Sequence, residues 1–173
     1  GLANQTYTAA GTTDNFLWKF NGADYVILDS INMTATGSTY SRVLEYIGLN
    51  DFITVKNCNL TGANVVTTST FNCVVFNNTG TGNLANDCVF ENNNVSGGSY
   101  QFYWYGGSTV ILEDNNKFIN NTFTNFYYMG LYSYSQNNCE IIGNYFESAG
   151  TYTSTTAGYL LYRYYNDGES HVI

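Results

Sequence analysis

Five eight-residue segments of this chain, 26–33, 53–60, 88–95, 116–123 and 139–146, align with one another without a gap. This repeat limits the possible folds more than any other feature of the sequence. The third place is apolar in each segment (Leu28, Val55, Phe90, Phe118, Ile141), and so is the eighth (Met33, Leu60, Val95, Phe123, Phe146). The fifth place holds Ser30, Asn57, Asn92, Asn120 and Gly143. The third-place residues recur at steps of about 23 to 35 residues, the length of a structural unit that buries its apolar face only by stacking on copies of itself.

A second apolar stretch follows each segment, at Val43-Leu44, Val74-Val75, Phe102 to Tyr105, Gly130 to Tyr132 and Tyr159 to Tyr162. Leu17 to Phe20 supply the same stretch for an incomplete first coil. Each coil therefore carries at least two strands. Turn-forming pairs introduce most segments: Asn50-Asp51, Asn86-Asp87, Asn115-Asn116 and Asn137-Asn138, residues that tolerate left-handed backbone. Stacked coils place equivalent residues about 4.8 Å apart. The third place then becomes an internal apolar ladder, and the sixth an asparagine ladder of Asn93, Asn121 and Asn144, with Ile31 and Cys58 filling that place earlier. The fourth place points outward and puts Lys56 between Asp29 and Glu91. The alignment did not use that pattern, and each such pair is worth about 0.2–1 kcal/mol.

Composition agrees. Charged residues are only 10% of the chain, no window has sustained helical periodicity, and Tyr, Phe, Val, Ile and Thr dominate, as suits pleated surfaces. Proline is absent, consistent with strands that have neighbours on both sides. A net charge of −8 with five cations argues against nucleic acid, which needs basic neutralisation, and against an anionic membrane surface. No apolar run is long enough for membrane insertion. The cysteines at 58, 73, 88 and 139 form no CxxC and have no histidine cluster, against the usual zinc patterns. Cys88 and Cys139 share one inward place two coils apart, about 9.6 Å by stacking geometry, which is too far for a disulfide. Buried thiols are expected.

The runs Asn137 to Phe146 and Asn116 to Phe123 resemble the Asn-rich coils of right-handed parallel β-helix repeat proteins of the pectate-lyase-like superfamily. Phe20 to Asp29 resembles the opening of such domains in large secreted bacterial surface proteins. The resemblance covers roughly residues 16 to 173. It implies an all-β, right-handed parallel β-helix (a β-solenoid) of about five to six coils, a single domain over 1–173 and an extracellular or cell-surface location. It implies little about activity, because lyases, hydrolases and adhesins share the fold.

Superfamily enzymes that cleave pectate use clustered carboxylates on calcium with an Arg or Lys base. Here Lys56 neutralises Asp29 and Glu91, the pairs Glu113-Asp114 and Asp167/Glu169 read as turn residues, and Arg42 and Arg163 have no carboxylate cluster in sequence. His171 reads as an ordinary strand residue. The sequence offers no catalytic residue, no metal ligand set and no cofactor motif.

Seventeen tyrosines are the most suggestive feature. Alternation puts half of the later ones outside, and a one-residue slip would reverse which half. Tyr103, Tyr105, Tyr132, Tyr134, Tyr162 and Tyr164 are the candidate aromatic stripe, suited to sugar rings or a partner protein, or to stabilising the sheet with no ligand. Sequons stand at Asn4, Asn32, Asn59, Asn77, Asn94 and Asn120, and four of these fall within the repeat itself. The expected function is structural or adhesive, with a polysaccharide or other copies of the chain as partners. A polysaccharide-active lyase or glycosidase is the alternative from another class. The ending at Ile173, in what reads as the opening strand of a further coil, adds a third reading: a longer polypeptide or a fibre of stacked copies.

Overall fold

At the fifth place of each segment the backbone turns left-handed, with φ of 59° at Ser30, 55° at Asn57 and Asn92, 53° at Asn120 and 64° at Gly143. Glycine adopts this conformation freely, and asparagine more readily than other side chains. The single left-handed residue breaks each segment into two short strands at an angle. The computed structural model describes residues 3–77, 80–150 and 159–164, and the backbone of 171–172.

Every sheet is parallel, and three of them are six-stranded. The first comprises Ile27–Asp29, Thr54–Lys56, Val89–Glu91, Lys117–Ile119, Glu140–Ile142 and His171–Val172. The second comprises Ala3–Tyr7, Ile31–Ala35, Asn59–Thr61, Asn94–Ser96, Thr122–Phe126 and Tyr145–Ser148. The third comprises Trp18–Asn21, Leu44–Ile47, Val75–Asn77, Tyr100–Tyr105, Met129–Tyr134 and Tyr159–Tyr164. Within each sheet the strands lie in chain order. The chain visits the three in rotation, and none of them closes on itself. Two-stranded pairs, Leu49–Asp51 with Leu84–Asn86 and Glu113–Asp114 with Gln136–Asn137, cover the return to the first sheet. Among the described residues there is no α-helix, only a 3₁₀ turn at Thr70–Asn72.

The registers follow the repeat. Leu28, Val55, Phe90, Phe118 and Ile141 pair in one inward column, and Met33, Leu60, Val95, Phe123 and Phe146 form another. Aromatic rings fill the space between: Tyr46, Phe90, Phe102, Trp104, Phe118 and Phe123 are fully buried and meet mostly edge to face, the arrangement that ring quadrupoles favour. Lys56 pairs with Asp29 at 3.5 Å, and Lys117 with Glu140 at 2.7 Å.

The sixth-place asparagines form the inner ladder. Asn93 Nδ2 donates to Asn121 Oδ1, and Asn121 Nδ2 to Asn144 Oδ1, both at 3.0 Å. Each Oδ1 also accepts the backbone N–H of the coil before it, from Cys58 to Asn93, from Asn93 to Asn121 and from Asn121 to Asn144. Each Nδ2 reaches a main-chain carbonyl as well, at Val55, Phe90 and Phe118 respectively. The amide thus satisfies main-chain groups that the turn takes out of the ladder, as buried polar groups require.

Three features add to or differ from the sequence reading. Each coil contributes to three sheets, where the sequence set a minimum of two strands. The parallel stack also begins earlier than residue 16: Ala3–Tyr7 pairs with Ile31–Ala35, and the matching Asn-x-Thr triplets at 4–6, 32–34 and 59–61 were its sequence signal. Thirdly, left-handed backbone ahead of the segments falls on Tyr25, Phe52, Asp87, Asn115 and Asn138. In the first two coils an aromatic residue takes a position that asparagine would fill at lower cost, and the rings of Tyr25 and Phe52 stack at 4.8 Å.

Asn121→Leu would leave buried amide and carbonyl groups without partners, at about 1–3 kcal/mol each. It is expected to lower unfolding free energy by more than about 3 kcal/mol in chemical denaturation. Asn94→Ser, on the exposed outer face, is expected to cost less than about 1 kcal/mol. Equal losses would show that the inner amides carry no special share of stability.

Candidate functional site

The third sheet widens as the chain proceeds, from Trp18–Asn21 with four residues to Tyr100–Tyr105, Met129–Tyr134 and Tyr159–Tyr164 with six each. Its inward positions are Phe102 and Trp104, then Leu131 and Ser133, all buried. Alternation therefore turns Tyr103, Tyr105, Tyr132, Tyr134, Tyr162 and Tyr164 outward. The register pairs them as Tyr103 with Tyr132 and Tyr162, and Tyr105 with Tyr134 and Tyr164. The sequence left the two faces undetermined, and the packing of Trp104 against Phe90 and Phe118 is what resolves them.

The six rings form two columns. Centroids are 4.9 Å apart for Tyr103 and Tyr132, 5.3 Å for Tyr132 and Tyr162, and 4.2 Å for Tyr105 and Tyr134, with planes within 13° of parallel. Tyr134 and Tyr164 follow at 5.5 Å with a 38° tilt. Neighbouring columns lie about 6 Å apart, 6.1 Å between Tyr103 and Tyr105 and 6.0 Å between Tyr132 and Tyr134. Tyr100 and Tyr159 brace one flank edge-on against Tyr103 and Tyr162. Tyr127 is buried, Tyr128 is half-buried against Tyr100, and Tyr165 lies outside the described residues.

Face-to-face stacking has a chemical consequence. The rings inside each column cover one another's faces, so the surface offers ring edges and phenol groups. Burial among the other rings pushes Tyr103 up to about 12. Tyr132 and Tyr100 are raised further, again chiefly by burial. These phenols stay protonated at neutral pH and act as donors.

The column that starts at Tyr162 ends on a charged foot. Phe76 stacks on Tyr103 at 5.4 Å, and the Arg42 guanidinium lies 3.5 Å from the Phe76 ring centroid. Arg42 Nη1 also pairs with Glu45 at 2.6 Å, and Lys19 pairs with the same carboxylate at 2.8 Å. Arg42 is thus buried and committed, not poised as a base. Arg163 sits on the inward alternation of its strand, in register with Ser133. Asp167 and Glu169 lie outside the described residues, as does the side chain of His171.

Glu113 is not the turn residue that the sequence suggested but part of a short strand, Glu113–Asp114. It is fully buried behind the third sheet and accepts from Asn77 Nδ2 at 2.6 Å, the Ala85 N–H at 2.8 Å and Gln136 Nε2 at 2.8 Å. Desolvation raises it to about 8 despite those donors. The Asn77 sequon is spent on this contact. The sequon asparagines 4, 32, 59 and 94 form an outer amide ladder with bonds of 2.7, 2.5 and 3.0 Å.

A groove of about 660 Å³ lies beside the second sheet, lined by Ser38, Asn64, Val65, Val66, Thr67, Asn125 and Ala149, none of them an acid or a base. Among the described residues no three His, Cys, Asp or Glu side chains gather as a metal site would require. All four cysteines are buried thiols, and burial pushes Cys88 up to about 12, so it is unreactive at neutral pH. No family model, no curated protein and no solved structure matches this chain.

The raised Glu113 carboxyl sets a pH dependence. In the unfolded chain it titrates near 4.5. Its stabilising contribution is therefore whole below that value and is lost as pH rises through about 8. Unfolding free energy is expected to fall across that window with a slope of up to about 1.4 kcal/mol per pH unit, and Glu113→Gln should flatten it. Parallel stability–pH curves for the two proteins would show that Glu113 keeps its ordinary titration.

Proposed function

We propose that the chain is a right-handed parallel β-helix that serves as a structural or adhesive segment of a secreted or surface-anchored protein. Its tyrosine side is the contact face for an extended, neutral polysaccharide. The observation that carries this reading is the paired outward column Tyr103–Tyr132–Tyr162 and Tyr105–Tyr134–Tyr164. Rungs about 4.8 Å apart repeat at a spacing comparable with one pyranose unit. A sugar chain lying along the axis would meet a phenol at every rung and ring edges on either side.

The absence of free charge on the columns suits a neutral polymer better than an acidic one. The enzyme reading has less support, because Lys19, Arg42, Lys56 and Lys117 are each paired with a carboxylate and the groove holds no acid or base.

Binding is testable with the purified chain and a panel of insoluble polysaccharides in a sedimentation assay. The double variant Tyr105→Phe/Tyr134→Phe keeps the rings and removes two phenols. It is expected to weaken retention at least tenfold, about 1.4 kcal/mol. Retention on no polysaccharide, or unchanged retention by the variant, would overturn this reading of the face. In the same samples, release of unsaturated or reducing sugar ends with added calcium is expected to stay at background, and a rise would favour the enzyme.

A further inference from the structure

We infer that the facing rings of Tyr105 and Tyr134 are a site of oxidative dityrosine formation, which would join two successive coils covalently. The inference rests on ring geometry and holds whatever the tyrosine face binds. Tyr105 and Tyr134 have the closest ring pair among the described residues, with centroids at 4.2 Å and planes 13° apart. The two residues are direct register partners of adjacent parallel strands, and each ring is half-buried.

Phenoxyl radicals couple through the carbons ortho to oxygen, and the new bond first forms between π faces. Stacked rings present those carbons to each other without diffusion. Separate radicals on a protein surface must otherwise find a partner in another molecule.

The oxidant is hydrogen peroxide acting through a peroxidase. Each phenol gives up its hydroxyl hydrogen as one electron and one proton, and the two radicals form a carbon–carbon bond between ortho positions. The hydrogen on each of those carbons then moves to its phenol oxygen and restores the aromatic rings. The protein loses two hydrogen atoms in all, and one peroxide becomes two waters. The neighbouring pair Tyr103 and Tyr132, at 4.9 Å and 11°, is arranged to react in the same way more slowly. The site gives the fold a covalent staple that its buried, separated thiols do not provide.

Two kinds of tyrosine separate proximity from mere access. Tyr25 and Tyr145 are more exposed than any ladder ring, at 76% and 56%, but Tyr25 stacks on Phe52 and Tyr145 bonds to Glu147. The folded full-length chain would be treated with a haem peroxidase and limiting peroxide, and the monomer isolated by size exclusion. Dityrosine fluorescence would be read, and linked peptides mapped by mass spectrometry after chymotryptic digestion. The expected result is a Tyr105–Tyr134 linked peptide lighter by two hydrogens, within monomer. Tyr105→Phe should at least halve the monomer signal, and Tyr25→Phe and Tyr145→Phe should leave it unchanged. Links that map to Tyr25 or Tyr145, dityrosine confined to dimers, or an equal monomer yield in urea would each overturn the inference.

Discussion

The side-chain amide of one asparagine in each of the later coils is the interaction on which the rest depends. To wind on itself the backbone must leave the strand conformation between the first and second sheets. That turn strips main-chain groups of their ladder partners inside the protein. Asn93, Asn121 and Asn144 return them: the oxygen accepts an N–H from the coil before, and the nitrogen reaches a carbonyl. An unpaired buried amide costs about 1–3 kcal/mol, so a sharp corner without this device would be among the weakest places in the molecule. With it, the corner becomes a second line of hydrogen bonds parallel to the sheets.

Once the corner is fixed, stacking copies it. A column holds the same kind of side chain at every level, and so aromatic residues at two positions of one strand become two continuous columns of rings. Small changes in one coil are read by its neighbours above and below. This is why the tyrosine face gathers in the later coils, after Glu45 and Phe76 have begun its inner column.

Much of this was legible beforehand because the fold is periodic. Alignment of segments 26–33 to 139–146 placed the inner asparagines, the apolar columns and the outward Lys56 correctly, since equivalent places must stack. What escaped the repeat were features without period. Tyr25 and Phe52 bear left-handed backbone that residue preference assigns to asparagine, and their mutual stacking offsets part of the strain. Glu113 looked like a turn acid because its partners, Asn77 and Gln136, lie on other coils. The strand at Ala3–Tyr7 carries no large apolar residue to announce it, only its Asn-x-Thr triplet. The outward face of the tyrosine strands depended on which neighbours filled the core, and a one-residue shift in sequence pattern leaves that open.

The two asparagine ladders also run in opposite senses. On the outside, Asn32, Asn59 and Asn94 each donate to the amide of the preceding coil. On the inside, Asn93 and Asn121 donate to the following one. Each row is a chain of aligned small dipoles, and amide dipoles that point the same way reinforce one another. The outer row runs from Asn4 to Asn94 and the inner row from Asn93 to Asn144, so the two meet at one coil, where the sense of donation reverses. Within each row the stack has a direction in its bonding, and a reversed coil would meet donor against donor.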